Sequence, residues 1–255
     1  MSRILVISDI HANLDALEAC IAVMPAYDSV WNLGDLVGYG ASPNEVAARA
    51  RQLGSTFIRG NHDKACSGVS STEDFNPVAA LSAYWTRQKL TQPNLDWLKQ
   101  LPRGPGLPDP SLGAQIAHGS PLDEDQYLVT IYDAAEPLAL AEQPLTFFGH
   151  THIQGAFAKS GPEFAQIVPE YRSTPDAAES WRLRLVTNDD ARYLINPGSI
   201  GQPRDGDPRA AFCLWDTEDH SVTFYRIPYD IAAAQRRIRE AGLPEWLSSR
   251  LARGK

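Results

Sequence analysis

Apolar and polar positions alternate in blocks along the first 60 residues. The stretches Arg3–Ser8, Ser29–Leu33 and Thr56–Arg59 are short and apolar, which predicts three buried strands. Between them apolar residues recur at helical spacing, and Asn13 and Ser42 stand where each predicted helix needs an N-cap. The order strand–helix–strand–helix–strand is typical of a parallel sheet covered by helices.

The pattern continues to about residue 150 and then changes to strands joined by turns. Residues 160–180 are polar and proline-containing, so we expect a surface loop or lid there, and Asn188–Asp190 predicts a hairpin turn. Residues 229–255 predict C-terminal helices, and no break in composition divides residues 1–255, so we expect one α/β (α+β) domain with two packed sheets. The other predicted elements are helices at Pro77–Leu90, Asn94–Leu101 and Ala134–Glu142, and strands at Ala114–Ala117, Leu145–Phe148, Gly155–Lys159, Trp181–Thr187, Arg192–Ile195, Ala211–Asp216 and Val222–Ile227.

Composition narrows the classes of function. Hydrophobic residues make up 43% of the chain and charged residues 21%, as in soluble globular proteins. The net charge of −8 argues against a broad surface for nucleic acid or anionic membrane. No apolar run approaches the roughly 18 residues of a membrane-spanning helix, and the N-terminus lacks the apolar region of a signal peptide. The three well-separated cysteines form no disulfide pattern, so we expect a cytoplasmic location.

A polar cluster follows each of five apolar strands in the first part of the chain. Ligands of open α/β sheets bind just beyond the carboxyl ends of the strands, where side chains from distant segments meet. Five of the six histidines fall in these clusters. The clusters are Asp9-Ile10-His11, Gly34-Asp35-Leu36-Val37-Gly38, Gly60-Asn61-His62-Asp63, His118-Gly119-Ser120 and Gly149-His150-Thr151-His152.

These residue types suit a pair of metal ions. Imidazoles and carboxylates bind Mn, Fe, Zn and Ni, and we expect Mn. Asp9 and His11 are separated by one residue, which points both side chains the same way if the backbone is extended there. The two oxygens of Asp35 can bridge two ions, and Asn61 can add a neutral carbonyl oxygen.

Such a centre would attract phosphate. Two divalent ions opposite Asp9 and Asp35 leave a local charge of about +2, even though the protein has a net charge of −8. Two ions about 3.5–4 Å apart can hold the attacking and the leaving oxygen of an in-line displacement and generate hydroxide near neutral pH. The clusters therefore indicate metal-dependent hydrolysis of phosphate esters.

The ordered motifs resemble those of the calcineurin-like metallophosphoesterase superfamily from residue 4 to about residue 216. The resemblance implies a four-layer α-β-β-α sandwich, in which two mixed sheets are flanked by helices. It also implies that a metal-bridging hydroxide attacks phosphorus while His62, which binds no metal, assists the leaving oxygen. By the family pattern, Asp9, His11, Asp35 and His152 hold one ion, and Asp35, Asn61, His118 and His150 hold the other.

One motif departs from the phosphoprotein phosphatases and the symmetrical dinucleoside tetraphosphatases of this superfamily. Those enzymes carry Gly-Asp-x-x-Asp-Arg-Gly, whereas Gly38 and Tyr39 replace the second Asp and the Arg here. The change leaves the residue that orients His62 unassigned; Asp63 is a candidate, with a structural role as the alternative. The sequence instead resembles the small bacterial and archaeal phosphodiesterase branch, and is similar to asymmetrical diadenosine tetraphosphate hydrolase-like and YfcE-like members.

Substrate contacts are expected from the segment at 196–204, NPGSIGQPR, which predicts a tight turn with free backbone N–H groups. Arg204 is a candidate phosphate clamp and Ser199 a second substrate-binding residue. The alternative for Arg204 is a salt bridge to Asp205 or Asp207.

Other charged and aromatic residues have two interpretations each. Arg59 and Lys64 flank the Gly-Asn-His-Asp motif, and we expect them to be solvated. Tyr39, Trp85 and Tyr127 could stack on a base, but such residues more often pack in the core or at its rim.

We therefore expect a binuclear metal-dependent phosphoesterase that cleaves phosphodiester or phosphoanhydride bonds in a small, nucleotide-type substrate. The alternatives are a phosphomonoesterase of the same fold and a non-catalytic metal-binding scaffold. The presence of all seven predicted ligands and of His62 argues against the scaffold. The sequence predicts no oligomeric state.

Overall fold

Two mixed β-sheets lie face to face and carry helices on their outer faces. In this computed structural model, the described residues are 2–54, 56–172 and 176–255. Their elements, in chain order, are β1 (Arg3–Ile7), α1 (Leu14–Ile21), β2 (Ser29–Asn32), α2 (Pro43–Gln52), β3 (Thr56–Phe57), α3 (Asn61–Ser67), α4 (Pro77–Lys89), α5 (Gln92–Lys99), β4 (Ala114–Ala117), α6 (Ile131–Leu140), β5 (Leu145–Phe148), β6 (Gly155–Ser160), β7 (Glu163–Ile167), β8 (Glu179–Arg184), β9 (Arg192–Asn196), β10 (Ala210–Asp216), β11 (Ser221–Ile227), α7 (Ile231–Glu240) and α8 (Glu245–Ser249).

The first sheet has the strand order β3-β2-β1-β10-β11-β8, and the second has the order β4-β5-β9-β6-β7. Strands β1, β2 and β3 run parallel, and β10, β11 and β8 continue the first sheet in antiparallel pairs. In the second sheet β4, β5 and β9 are parallel, while β6 pairs antiparallel with both β9 and β7. The carboxyl ends of β1 and β2 are therefore neighbours, as are those of β4 and β5.

The alternation of side chains along β1 shows how the layers form. Ile4 and Val6 pack with apolar residues of the second sheet, such as Ile116 and Phe147, so they fill the space between the sheets. Leu5 and Ile7 point the other way, into a cluster with residues of α1 and α2. On the far side, α6 covers β6 and β9. The four-layer α-β-β-α arrangement implied by the motifs is thus confirmed.

Several local predictions need correction. Helix α3 was not predicted, because its seven residues carry no apolar period that distinguishes them from a loop. The 160–180 segment is not entirely a surface loop, since it contains β7, which pairs with β6. Residues 173–175 of this segment lie outside the described residues. Its function as a lid stays a prediction. Asn188 makes the predicted turn, but β8 and β9 on either side belong to different sheets, so the turn does not close a hairpin.

Two capping predictions had different outcomes. The side chain of Asn13 accepts a hydrogen bond from the backbone N–H of Ala16 and so caps α1 as predicted. Ser42 stands at the start of α2, but its side chain makes no capping hydrogen bond.

The three cysteines are buried and unpaired. None of the helices within the described ranges is long and apolar enough to cross a membrane.

Candidate metal centre

The predicted metal ligands converge where the carboxyl ends of the central strands meet. Asp9 and His11 follow β1, Asp35 follows β2, and Asn61 is the first residue of α3. The remaining ligands follow the second sheet: His118 comes after β4, and His150 and His152 come after β5.

The side chains form two groups that share Asp35. The first contains Asp9, His11, Asp35 and His152, with ligand atoms within 4.8 Å of one another. In it, Nε2 of His11 lies 3.6 Å from Oδ2 of Asp35, and Nε2 of His152 lies 3.4 Å from Oδ1 of Asp9.

The second group contains Asp35, His118 and His150. Nε2 of His118 lies 3.4 Å from Oδ2 of Asp35 and 3.1 Å from Nδ1 of His150. Oδ1 of Asn61 lies 3.1 Å from the same Nε2 of His118, so the amide oxygen joins this group. The structure therefore brings together all seven residues expected as ligands, and divides them as the motif pattern implies.

Hydrogen bonds to the backbone determine which imidazole nitrogens are available to a metal. One nitrogen of each ring faces a carbonyl oxygen, which only accepts, so we assign a proton to that nitrogen; in a neutral ring the other nitrogen then carries a lone pair. The lone pairs of His11 Nε2 and His152 Nε2 then face each other at 3.1 Å, which a cation between them would stabilise. The four bonds are His11 Nδ1 to Val37 at 3.2 Å, His118 Nδ1 to Leu33 at 2.8 Å, His152 Nδ1 to Gln202 at 2.6 Å, and His150 Nε2 to Asp125 at 3.1 Å.

The electrostatics of the cluster agree with this donor set. Burial lowers the pKa of His11 and of His152 well below the usual range, so both rings are neutral and can act as ligands. Burial also opposes charge on His118, but the adjacent Asp35 raises the pKa of His118 to about 9. Burial would raise the pKa of Asp35, yet His118 beside it holds that pKa well below its usual range. A metal ion in the second group would displace the extra proton of His118.

The backbone at the ligands is not extended, contrary to the spacing argument made for Asp9 and His11. Asp9 has a φ of 53° and His11 a φ of 48°, and both values lie in the left-handed region. Asp35, His150 and His152 also have positive φ values, of 53°, 66° and 60°. The side chains converge because tight loops turn them inward, not because they alternate along a strand.

His62 lies beside the ligands, near the start of α3. Its ring contacts the rings of Tyr39 and Phe75, with centroid distances of 4.3 Å and 4.7 Å. Its Nδ1 is buried without a hydrogen-bond partner among the described residues. Burial lowers the pKa of His62 to about 4, so the ring is neutral at pH 7. Gly38 lies against this ring, because a Cβ there would stand 2.5 Å from Nδ1.

Asp63 has the structural role that was the alternative for it. Its carboxylate accepts hydrogen bonds from the backbone N–H groups of Gly60 at 3.0 Å, Leu36 at 2.9 Å and Val37 at 3.3 Å. These bonds join the start of α3 to the loop that carries Asp35. The ring of His62 is instead positioned by packing, and no motif in the sequence pointed to Phe75 as one of its neighbours.

The two predicted substrate residues have different outcomes. Arg204 is half-buried, its backbone N–H bonds to the carbonyl of His152 at 3.2 Å, and its guanidinium makes no salt bridge among the described residues. Asp205 and Asp207 pair with Arg226 and Arg209 instead. The assignment of Ser199 is wrong.

The hydroxyl of Ser199 is fully buried and turned toward the backbone. It donates to the carbonyl of Asp9 at 2.7 Å and accepts from the N–H of Gln202 at 2.8 Å. The residue therefore holds the turn at 196–204 against the Asp9 loop, and the one donor of its hydroxyl is not available to a phosphate oxygen.

The solvated roles expected of Arg59 and Lys64 are also wrong. Nζ of Lys64 is buried and lies 3.1 Å from Glu124 and 2.6 Å from Asp125, and Arg59 pairs with Glu124 at 3.1 Å. These ion pairs attach the segment after His118 to α3. Because the carbonyl of Asp125 bonds His150, they also support a residue of the second ligand group.

A cavity of about 290 Å³ opens beside the second ligand group. The ring of Tyr127 lies against that of His150 in a tilted arrangement, with a centroid distance of 3.8 Å, and remains half-exposed. Trp85 packs elsewhere, with its indole N–H bonded to the carbonyl of Ala241 at 3.1 Å. The cavity is lined by residues that include Tyr39, Asn61, His62, Phe75, Tyr127 and His150.

Comparisons with known proteins agree with this geometry. Residues 2–220 match the calcineurin-like phosphoesterase superfamily domain. An uncharacterized protein of Methanocaldococcus jannaschii is 33% identical over 258 residues, covering 100% of this chain and 99% of that protein. The crystal structure of a metallophosphoesterase from Sphaerobacter thermophilus is 40% identical, with a TM-score of 0.84 over 100% of this chain and 99% of that one.

A symmetrical bis(5'-nucleosyl)-tetraphosphatase of Sodalis glossinidius is also similar, at 30% identity over 105 residues. This match covers 38% of this chain and 36% of that protein. The chain belongs to the calcineurin-like phosphoesterase superfamily, which confirms the resemblance carried by the ordered motifs.

Proposed function

We propose that this protein is a binuclear metal-dependent phosphoesterase that hydrolyses phosphodiester or phosphoanhydride bonds in small, nucleotide-type substrates. The observation that carries the proposal is the pair of ligand groups that share Asp35 and lie beside an aromatic-lined cavity. The buried, unpaired cysteines support a cytoplasmic location for this activity.

The donor set supports two transition-metal ions, with Mn as the proposed metal and Fe, Zn or Ni as metals that the same ligands accept. Asp9, His11 and His152 would hold one ion, Asn61, His118 and His150 the other, and Asp35 both. When bound, the ions supply Lewis-acid polarisation of the phosphate and activation of water near neutral pH.

The chain's own residues then bind and orient the substrate. Arg204 binds a phosphate oxygen through its guanidinium, which has no carboxylate partner among the described residues. His62 lines the cavity beside the ligands, and its neutral ring donates an N–H hydrogen bond to the departing ester oxygen, which stabilises the negative charge that develops there. The rings of Tyr39 and Tyr127 border the same cavity and offer faces against which a base can stack.

The test is release of p-nitrophenol from bis-p-nitrophenyl phosphate with added Mn²⁺. We expect release by the wild-type protein and none by Asp35→Asn, which should also lose both ions, because Asp35 belongs to both ligand groups. The matched control is Asp189→Asn, which makes the same change on an exposed side chain and should retain both metals and activity.

Two other outcomes would overturn the proposal. Hydrolysis of p-nitrophenyl phosphate without hydrolysis of the diester, of a cyclic nucleotide or of a dinucleoside polyphosphate would indicate a phosphomonoesterase. Protein that holds two ions and hydrolyses neither of these compounds, nor any of a panel of cyclic nucleotides and dinucleoside polyphosphates, would indicate the scaffold alternative.

A further inference from the structure

Lys64 is a buried lysine in the wall of the cavity beside the second ligand group. It lies on α3, which begins at Asn61. Its Nζ lies 2.6 Å from a carboxylate oxygen of Asp125 and 3.1 Å from one of Glu124. Burying a cation is costly unless the cation is paired, and here two carboxylates pair it. The ammonium group is therefore committed to the protein and is not a free partner for a substrate phosphate.

Both carboxylates belong to residues 119–127, the wall segment, which follows His118 and borders the cavity. Backbone hydrogen bonds within the segment give it its shape. The N–H of Gly119 bonds to the carbonyl of Glu124 at 3.0 Å, and the N–H of Ser120 bonds to the carbonyl of Asp123 at 3.0 Å. Because these bonds close inside the segment, they do not attach it to α3; the ion pairs do.

The wall segment contacts the ring of His150 at two points. The carbonyl oxygen of Asp125 accepts a hydrogen bond from Nε2 of His150 at 3.1 Å, and the ring of Tyr127 lies 3.8 Å from that of His150. In the neutral ring the lone pair is then on Nδ1, which lies 3.1 Å from Nε2 of His118 in the second ligand group. The orientation of this ring therefore depends on the position of the wall segment.

We propose that Lys64 is a positioning residue for the second metal ion. Its ion pair with Asp125 holds the wall segment where His150 presents Nδ1 to that ion. The first ligand group is held by other contacts, since His11 bonds to the carbonyl of Val37 and His152 to that of Gln202. Loss of Lys64 should therefore weaken the binding of one ion and spare the other. The inference rests on the proposed function, in which both ligand groups hold metal.

The variant Lys64→Met should fold, because it leaves neither carboxylate buried and unpaired. Glu124 keeps its pair with Arg59 at 3.1 Å, and the side chain of Asp125 is 52% exposed and can be solvated. Methionine also retains the long apolar body of the lysine side chain. The matched control is Lys99→Met, which makes the same change on an exposed, ion-paired lysine of α5.

The experiment measures Mn²⁺ binding to each protein by isothermal titration calorimetry. We expect Lys64→Met to weaken one of two ions about tenfold, the lower end of the loss that follows when the partner of a ligand is removed. The affinity for the other ion should stay within about twofold, and Lys99→Met should match the wild type. Asp125→Asn should reproduce the selective loss, and the double variant should lose no more than either single variant, because the two residues act as one pair.

His150→Ala shows which ion is affected. In that background Lys64→Met should have no further effect on metal binding, because Lys64 acts through the missing ring. Equal weakening of both ions in Lys64→Met would show a merely structural role, and unchanged binding of both would show no role. A higher KM for bis-p-nitrophenyl phosphate with unchanged metal binding would make Lys64 a substrate contact. Each of these three results overturns the proposal.

A second measurement separates this proposal from the proposed function. If the wild-type protein binds fewer than two ions, the binuclear centre fails, and exchange of the Nε2 proton of His150 is followed by ¹⁵N NMR without metal. Exchange that is at least about tenfold faster in Lys64→Met than in the wild type supports the positioning role, because it reports opening of the bond to Asp125. An unchanged exchange rate overturns it.

Discussion

Gly38 leaves the space that the ring of His62 occupies. The variant Gly38→Ala therefore displaces that ring while His62 itself remains a histidine. Gly38 has a φ of +88°, and an added Cβ would lie 2.5 Å from Nδ1 of His62. Ordinary contacts of a Cβ are 3.4–4 Å, so the ring must move by roughly 1 Å. All three of the nearest atoms to that Cβ belong to His62, and none belongs to a metal ligand.

Two effects are expected, and they differ in size. A left-handed alanine costs about 1–2 kcal/mol in the free energy of unfolding. Displacement of a catalytic group by about 1 Å costs on the order of 100-fold in turnover. Because the ligands are untouched, the content of both metals should remain at the wild-type level.

The assay separates the two effects with a control glycine. Gly242 has a φ of +71° and no atom within 4 Å of an added Cβ, so Gly242→Ala carries the backbone cost alone. Thermal unfolding, metal content and kcat for bis-p-nitrophenyl phosphate are measured for both variants. Wild-type turnover in Gly38→Ala, or an equal loss of turnover in Gly242→Ala, would refute the reasoning.

Two further predictions concern the residues next to Gly38. His62→Asn should keep both metals and lower turnover at least about 100-fold, the range for the loss of a positioned hydrogen-bond donor to developing negative charge; a fully active variant removes His62 from the mechanism. Asp63→Ala should lower the free energy of unfolding by about 3 kcal/mol or more, since it leaves buried N–H groups of Gly60 and Leu36 without an acceptor. Urea unfolding measures this loss, and a value under about 1 kcal/mol would contradict the structural role.

The parts of the fold that the sequence predicted are those whose local pattern matches their burial. Ala114–Ala117 and Leu145–Phe148 are buried at every position, and their short apolar stretches predicted both strands with the correct bounds. Glu163–Ile167 was missed because most of its residues are exposed at the edge of its sheet. A strand held mainly by backbone pairing leaves no hydrophobic period to detect.

The residues of the proposed metal centre could be selected from the sequence because metal chemistry restricts residue type, whereas the surrounding contacts depend on the folded chain. Lys64 illustrates the difference, since its partner Glu124 lies 60 positions away and no local pattern joins them. Ser199 likewise stands in a segment typical of anion binding, yet its hydroxyl turns to a backbone carbonyl 190 positions away. Arg204 was selected by the same segment, and its approach to Tyr39 became visible only in the fold.

The left-handed backbone at five of the ligand-group residues shows why the spacing of Asp9 and His11, read as extended backbone, did not predict the geometry of the site. A non-glycine residue in this conformation costs on the order of 1–3 kcal/mol and persists only where its surroundings fix it. Here backbone bonds fix it: the N–H of Asp9 bonds to the carbonyl of Gly34 at 3.0 Å, and that of His11 bonds to the carbonyl of Asp35 at 2.9 Å. The loops after β1 and β2 thus hold each other in shape, and each loop carries ligands. Asp and His are among the residues that tolerate this conformation best, so the residues that bind metals well are also those that such loops can accommodate.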